Sequence, residues 1–191
     1  MIIPRWEWRT FNDDFGPAEA AIKSHERTGH KISQEKYIIS KVSDENIKIR
    51  DDLIDIKSLQ EINGDKLEQW NPAMKEGFPT GKDKIEILFN QFFKVAPPAL
   101  TQDSYTYQEF LALVADCPQL VIVDVEKERH IYTIEEATVE IAETKFNGVP
   151  MRTACVEHID PALVISLVKK LGLVDFKNIN YINAMKMAVG L

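Results

Sequence analysis

The run Ile47-Lys48-Ile49-Arg50-Asp51-Asp52-Leu53-Ile54-Asp55-Ile56-Lys57 alternates apolar and charged residues on both sides of an Asp-Asp pair. In a strand, residues i and i+2 project from the same face. The run therefore reads as a hairpin turning at Asp51-Asp52. One face is Ile47, Ile49, Ile54 and Ile56; the other is Lys48, Arg50, Asp55 and Lys57. The same spacing recurs elsewhere. Arg5 and Arg9 flank Glu7 in the strand-like residues 2–11, and Lys127 and Arg129 sit two apart in residues 120–133. Several strands thus aim paired charges in one direction. Such a sheet either shows a wet face to solvent or lines a polar cavity.

The rest of the chain supplies more strands and a few helices. Residues 35–42 contain a Tyr-Ile-Ile-Ser strand signal, and residues 137–146 and 151–159 are strand-like about an Asn147-Gly148 turn. Residues 26–33, around Gly29, read as a loop. Residues 70–81, with Pro72, Gly77, Pro79 and Gly81, read as irregular or edge structure. Residues 17–24 begin a helix at Pro17. Residues 82–95 place Ile85, Leu88, Phe89, Phe92 and Phe93 at helical spacing, and residues 106–115 form a shorter helix. Asp160-Pro161 starts another that Gly172 ends, and residues 183–189 add a helical turn or two. The pattern predicts an α+β fold of seven or eight mostly antiparallel strands, in a single domain over residues 1–191.

Bulk properties narrow the function. There are 23 Lys and Arg against 30 Asp and Glu, a net charge of −7. That argues against general nucleic-acid binding and against an anionic membrane surface. A local positive site within an acidic chain remains open. Cys117 and Cys155 lie in no Cys-x-x-Cys pair, so a structural zinc framework is not visible; two free thiols are expected over one disulfide. No signal peptide or transmembrane run is read, and the cytoplasm is the default address. A homodimer would be ordinary.

The chemistry lies in the charged face. Arg5, Arg9, Lys48, Arg50, Lys57, Lys127 and Arg129 share it with Glu7, Asp55, Glu140 and Glu157. If all faced one cavity, the surplus would be three positive charges, costly to enclose unless an anion fills it. A few phosphate groups would match, with arginine forks holding oxygens bidentately and lysines acting as point charges. Carboxylates left over could hold a divalent metal. The plain alternative is a solvated face, the usual fate of alternating Lys and Arg. The strongly apolar opposite phase, Val139 and Ile141 included, and the apolar helices able to cover it favour a barrel curled with its polar face inward.

In motif order the chain resembles the CYTH superfamily, the triphosphate tunnel metalloenzymes, which include triphosphatases and class IV adenylate cyclases. The family opens on Glu-x-Glu-x-Lys; here stands Arg5-Trp6-Glu7-Trp8-Arg9. A tyrosine strand follows (Gln34-Glu35-Lys36-Tyr37), then Arg-x-Arg (Lys48-Ile49-Arg50), Thr-x-Lys (Asp55-Ile56-Lys57) and Lys-x-Arg (Lys127-Glu128-Arg129). Late acidic strands, with Glu140 and Glu157, and a terminal helix complete the likeness. The resemblance implies an eight-stranded antiparallel β-barrel tunnel with helices outside. It also implies a triphosphate or polyphosphate held by Arg9, Lys48, Arg50, Lys57, Lys127 and Arg129. Mg²⁺ or Mn²⁺ would be held by Glu7, Glu140 and Glu157, with Glu143 on the other face of its strand.

Departures fall on the acidic side. The first family glutamate is Arg5, the last Glu-x-Glu reads Cys155-Val156-Glu157, and the Arg-x-Glu-x-Glu strand has no clear counterpart between Glu61 and Gly81. These losses leave anion binding intact and weigh against hydrolysis. Two alternatives stand beside an enzyme: a degenerate binder of the same anion, and an interaction domain with an exposed charged sheet. The histidines offer little. His25 and His30 lack further metal-ligating partners nearby in sequence, and His130 and His158 fall on the outward phase. Trp6 and Trp8 read as packing groups.

Overall fold

In the computed structural model, which describes residues 3–191, ten strands and five helices follow one another along the chain. They are β1 (Trp6–Phe11), α1 (Gly16–Lys23), β2 (Arg27–Ser40), β3 (Asn46–Arg50), β4 (Leu53–Ile62), β5 (Glu68–Gly77), β6 (Thr80–Gly81), α2 (Lys82–Ile87), β7 (Ser104–Tyr105), α3 (Tyr107–Ala115), β8 (Leu120–Ile134), β9 (Ala137–Phe146), β10 (Val149–His158), α4 (Pro161–Lys170) and α5 (Tyr181–Ala188). A π-helical turn, Leu88–Phe93, continues α2. Eight strands close into an antiparallel barrel in the order β1-β10-β9-β8-β2-β3-β4-β5, while β6 and β7 pair separately. The start of the first predicted strand, at residue 2, lies outside the described residues.

Three tight hairpins build the barrel wall. Asp51 and Asp52 take positive φ (52° and 56°), as do Asn147 and Gly148 (50° and 81°). Both pairs suit the two-residue turn whose twist matches the flanking strands. The β8–β9 turn does the same with Glu135 and Glu136, at φ 50° and 71°, a conformation that costs a residue with a Cβ about 1 kcal/mol or more.

Alternation then sorts the side chains. Outward residues form two clusters. Ile47, Ile49, Ile54 and Ile56 pack beneath Ile85, Leu88, Phe89, Phe93, Phe110 and Val114 of the α2–α3 side. Trp6, Trp8, Val139, Ile141 and Val156 pack beneath Ile22 of α1 and Val164 and Leu167 of α4. A third cluster joins Tyr37, Ile39, Val123, Val125 and Phe146 to Tyr181, Ile182 and Met185 of α5. Val123 and Val125 share the inward phase of Lys127 and Arg129, so α5 plugs one end of the barrel. Asn180 caps this helix, its side-chain oxygen accepting from Asn183 N–H. Asp160 caps α4 in the same way. No helix among the described residues is long and apolar enough to cross a membrane.

Two segments differ from the sequence expectation. Residues 27–33 of the stretch 26–33 are strand, not loop. Their side chains are mostly exposed, so no apolar period marks them, but their backbone pairs with β8 across a register shift at residues 27–29. Gly29 fits there because Ile131 Cβ lies only 3.4 Å from where its own Cβ would sit. Residues 68–77 are a barrel strand despite Pro72. The proline stands opposite Lys57 at a second register shift, a place where a missing N–H is tolerated. The seam to β1 is short, Trp6 to Gln69 and Glu7 to Glu68, so the rest of β5 is indeed an edge.

Candidate functional site

Inward-pointing side chains line a cavity of about 160 Å³ inside the barrel, room for on the order of ten waters. Arg9, Lys48, Arg50, Lys57, Lys127 and Arg129 all line it, with Glu7, Glu140 and Glu157. Arg5 and Glu35 join them, giving seven cations against four carboxylates and the surplus of three positive charges expected from the strand phases. Asp55 is replaced in that tally by Glu35; it pairs with Lys48 at 3.6 Å instead. Glu143 lies outside, on Arg152.

The cavity has two chemically distinct walls. The β8-β2-β3-β4 side carries most cations around one buried anion, Glu35. Lys127 Nζ donates to Glu35 Oε2 at 3.0 Å and to Tyr37 Oη at 2.8 Å; Arg50 approaches Glu35 Oε1 at 3.4 Å. Burial pushes the Lys127 ammonium down to about 8, Lys48 nearby acting in the same sense against the pull of Glu35. Lys48 is also lowered, by burial first and then by Arg50 and Lys57. Burial would raise Glu35, but Lys127, Lys48 and Arg50 overcome it and hold the carboxyl at about 2. Crowded cations thus depress acids and bases alike.

The β10-β1-β5 side is acidic. Glu7 stands directly opposite Glu157 on β10 and Glu68 on β5, which puts three carboxylates in a row on one face. Burial and then the Glu7 charge raise Glu157. Burial also raises Glu68, against hydrogen bonds donated by Asn180 Nδ2 at 2.9 Å and Trp70 Nε1 at 3.1 Å. One rung deeper, Arg9, Cys155 and Glu140 form a second row. Arg9 donates to Glu7 at 2.8 Å and to Glu140 at 3.3 Å, and Arg129 Nε donates to the other Glu140 oxygen at 2.6 Å. Burial would raise Glu140, but Arg9 and Arg129 keep it low. Burial raises the Cys155 thiol, which stays protonated between these groups.

Tyr181, the first residue of α5, forms the floor. The Arg9 guanidinium lies 4.5 Å and the Lys127 ammonium 4.2 Å from its ring centre. Its buried hydroxyl has no hydrogen-bond partner among the described residues. An unpaired buried hydroxyl costs about 1–3 kcal/mol.

Sequence reasoning missed Glu68, Glu35, Asn180 and Tyr181 as site residues. Glu68 was hidden because β5 did not read as a strand. Glu35 was legible as the inward neighbour of Tyr37. Asn180 and Tyr181 arrive from a helix that no strand period announces.

No protein-family model matches the chain, and no curated protein matches it. Solved structures do. HpAC1 from Hippeastrum, a candidate adenylyl cyclase with a dominant triphosphatase activity, aligns at 11% identity and TM-score 0.53, over 96% of each chain. PH1819 from Pyrococcus horikoshii aligns at 14% identity and TM-score 0.53, over 96% of this chain and 99% of that one. A candidate adenylate cyclase from Bacillus halodurans aligns at 11% identity and TM-score 0.50, over 93% and 95%. The likeness is one of fold: this chain has the closed eight-stranded barrel of the CYTH-type adenylate cyclase and triphosphatase structures.

Proposed function

We propose that the barrel binds the triphosphate or polyphosphate part of a small molecule and hydrolyses it with a divalent metal. The observation that carries this reading is the cavity's charge. Seven fixed cations, two of them (Arg9 and Lys127) buried, exceed the four carboxylates beside them in the same lining. Enclosed surplus charge is stable only with a counter-ion. Lys48, Arg50, Lys57, Lys127, Arg129 and Arg9 are the phosphate-holding set, with the Tyr181 ring against Arg9 and Lys127.

The donors present suit a hard cation. Glu7, Glu157 and Glu68 offer oxygens in one row; burial first, and then the Glu7 charge, raise Glu157 and Glu68, so a cation among them would be favoured. When bound there, Mg²⁺ or Mn²⁺ would supply charge neutralisation to the phosphates. Glu140, read from the motif as a ligand, spends both oxygens on Arg9 and Arg129; its role in this reading is to orient those guanidinium groups for phosphate.

A second reading is a binder without hydrolysis. The neutral Cys155 at a position where the resemblance expects a carboxylate favours it. Melting with tripolyphosphate, alone and with Mn²⁺, and phosphate release from several triphosphates separate the two. Stabilisation with metal-dependent release supports the enzyme, and stabilisation without release supports the binder. No stabilisation at millimolar tripolyphosphate would refute both. Glu7→Gln with Glu68→Gln should abolish release and retain stabilisation by tripolyphosphate alone.

A further inference from the structure

We propose a second metal site, for a borderline transition-metal dication such as Zn²⁺, on the outer wall of the barrel at His30, Glu128 and His130. The ligand atoms of these three residues all lie within 4.8 Å of one another. Register creates the cluster. His30 on β2 and His130 on β8 are directly opposite, and Glu128 lies two residues before His130 on the same outward face. The unbroken β2–β8 register from Ser40–Leu120 to Gly29–Ile131 sets this pairing, and the imidazoles stack with centroids 5.1 Å apart and planes at 7°.

The geometry is close to what a cation requires. His30 Nε2 is 2.9 Å and His130 Nε2 3.8 Å from the same carboxylate oxygen of Glu128. Ligands bonded to zinc at ~2.0–2.1 Å stand about 3.3 Å apart in a tetrahedron. The two His–Glu spacings bracket that value, and rotation of exposed side chains closes the third. Two imidazoles with one carboxylate select Zn²⁺, Ni²⁺ or Cu²⁺ over Mg²⁺. The side chains stand on paired strands, so little backbone order must be gained on binding.

One neighbour opposes the ion. Arg27 Nη1 donates to His130 Nδ1 at 3.1 Å. An imidazole ligated through Nε2 carries its proton on Nδ1, so Arg27, an exposed side chain, swings away on binding. Its displacement and the open coordination positions left to water make the site weaker than one with four protein ligands. The site is separate from the tunnel, although Arg129, between Glu128 and His130 in sequence, points inward to Glu140. A metal there staples β2 to β8 at the rung that carries this arginine.

Calorimetry on the chain without an added histidine tag tests the proposal. Zn²⁺ should bind at one external site, and His30→Ala and His130→Ala should each weaken it at least tenfold. Tunnel substitution Glu7→Gln with Glu157→Gln should leave that site intact. With Cu²⁺, electron paramagnetic resonance should show two ligating nitrogens in the wild type and one in either histidine variant. His25→Ala and His158→Ala should change neither readout. No Zn²⁺ binding at millimolar ion, or binding that survives His130→Ala, overturns the proposal. Because the test uses metal alone, its failure says nothing against the phosphate site.

Discussion

Raising the pH should strip affinity for a polyphosphate through Lys127. This ammonium is buried and already pushed down to about 8 from its ordinary 10.5. A group with that shift costs stability in its charged form below pH 8, and the cost fades as pH rises from 8 toward 10.5. A bound anion reverses the shift by restoring opposite charge beside the ammonium. The free protein must then take up a proton on binding, roughly half a proton near pH 8 and about nine-tenths near pH 9. Affinity for tripolyphosphate should fall about tenfold between pH 7 and pH 9, or about 1.4 kcal/mol. Lys48 is lowered too and adds in the same direction. The other buried groups are silent in this window: burial raises Tyr37, Tyr181 and Cys155 out of it. Calorimetry in two buffers of different ionisation enthalpy measures the uptake directly. Lys127→Met should bind more weakly and lose most of the pH slope. A wild-type affinity that is flat from pH 7 to 9, with no proton uptake, would refute the reasoning.

Glu35→Gln should destabilise the fold by about 3–5 kcal/mol at pH 7 in urea melts, because Lys127 is left buried without its carboxylate; tripolyphosphate should recover part of the loss. In the wild type, the depressed Glu35 contributes about 3 kcal/mol above its ordinary 4.5, and this is lost as pH falls from 4.5 toward 2; the variant should lack that acid limb. Tyr181→Phe should keep or slightly raise the melting temperature, since it removes an unpaired buried hydroxyl, and should leave tripolyphosphate affinity within about twofold; a lowered melting temperature would mean the hydroxyl is satisfied in the folded protein. Glu136→Gly should stabilise by up to about 1 kcal/mol by relieving a left-handed backbone at the β8–β9 turn, provided the neighbouring Glu135–Lys170 pair is kept.

Much of this architecture was legible because strands with one buried face carry a period of two. Ile47 to Lys57 showed both its turn and its two faces, and Asn147-Gly148 and Asp160-Pro161 announced their own geometry. The signal failed where neither face is strongly apolar. Residues 27–33 are held by backbone pairing to β8 and expose most side chains, so nothing in their composition marks a strand. Pro72 argued correctly against a regular rung but could not reveal that a bulge at Ala73, in β5 itself, accommodates it. The site was legible to the same degree. Lys48, Arg50, Lys127 and Arg129 follow from phase alone, whereas the Glu157–Glu7–Glu68 row depends on which strands become neighbours at the seam. The His30–His130 pairing likewise depends on how β2 registers against β8.

The helix α5 that stoppers the barrel has a geometric corollary. With Tyr181, Ile182 and Met185 filling one end against Val123, Val125 and Phe146, the bore is a cul-de-sac, and a linear guest enters and leaves by the same door. Whatever is attached to its trailing end stays outdoors, beside Lys31, Arg50 and Asp51 at the rim. On the proposed reading such a sleeve would be a depth gauge, reading how many links of the chain fit before the bottom and not what the chain is tied to.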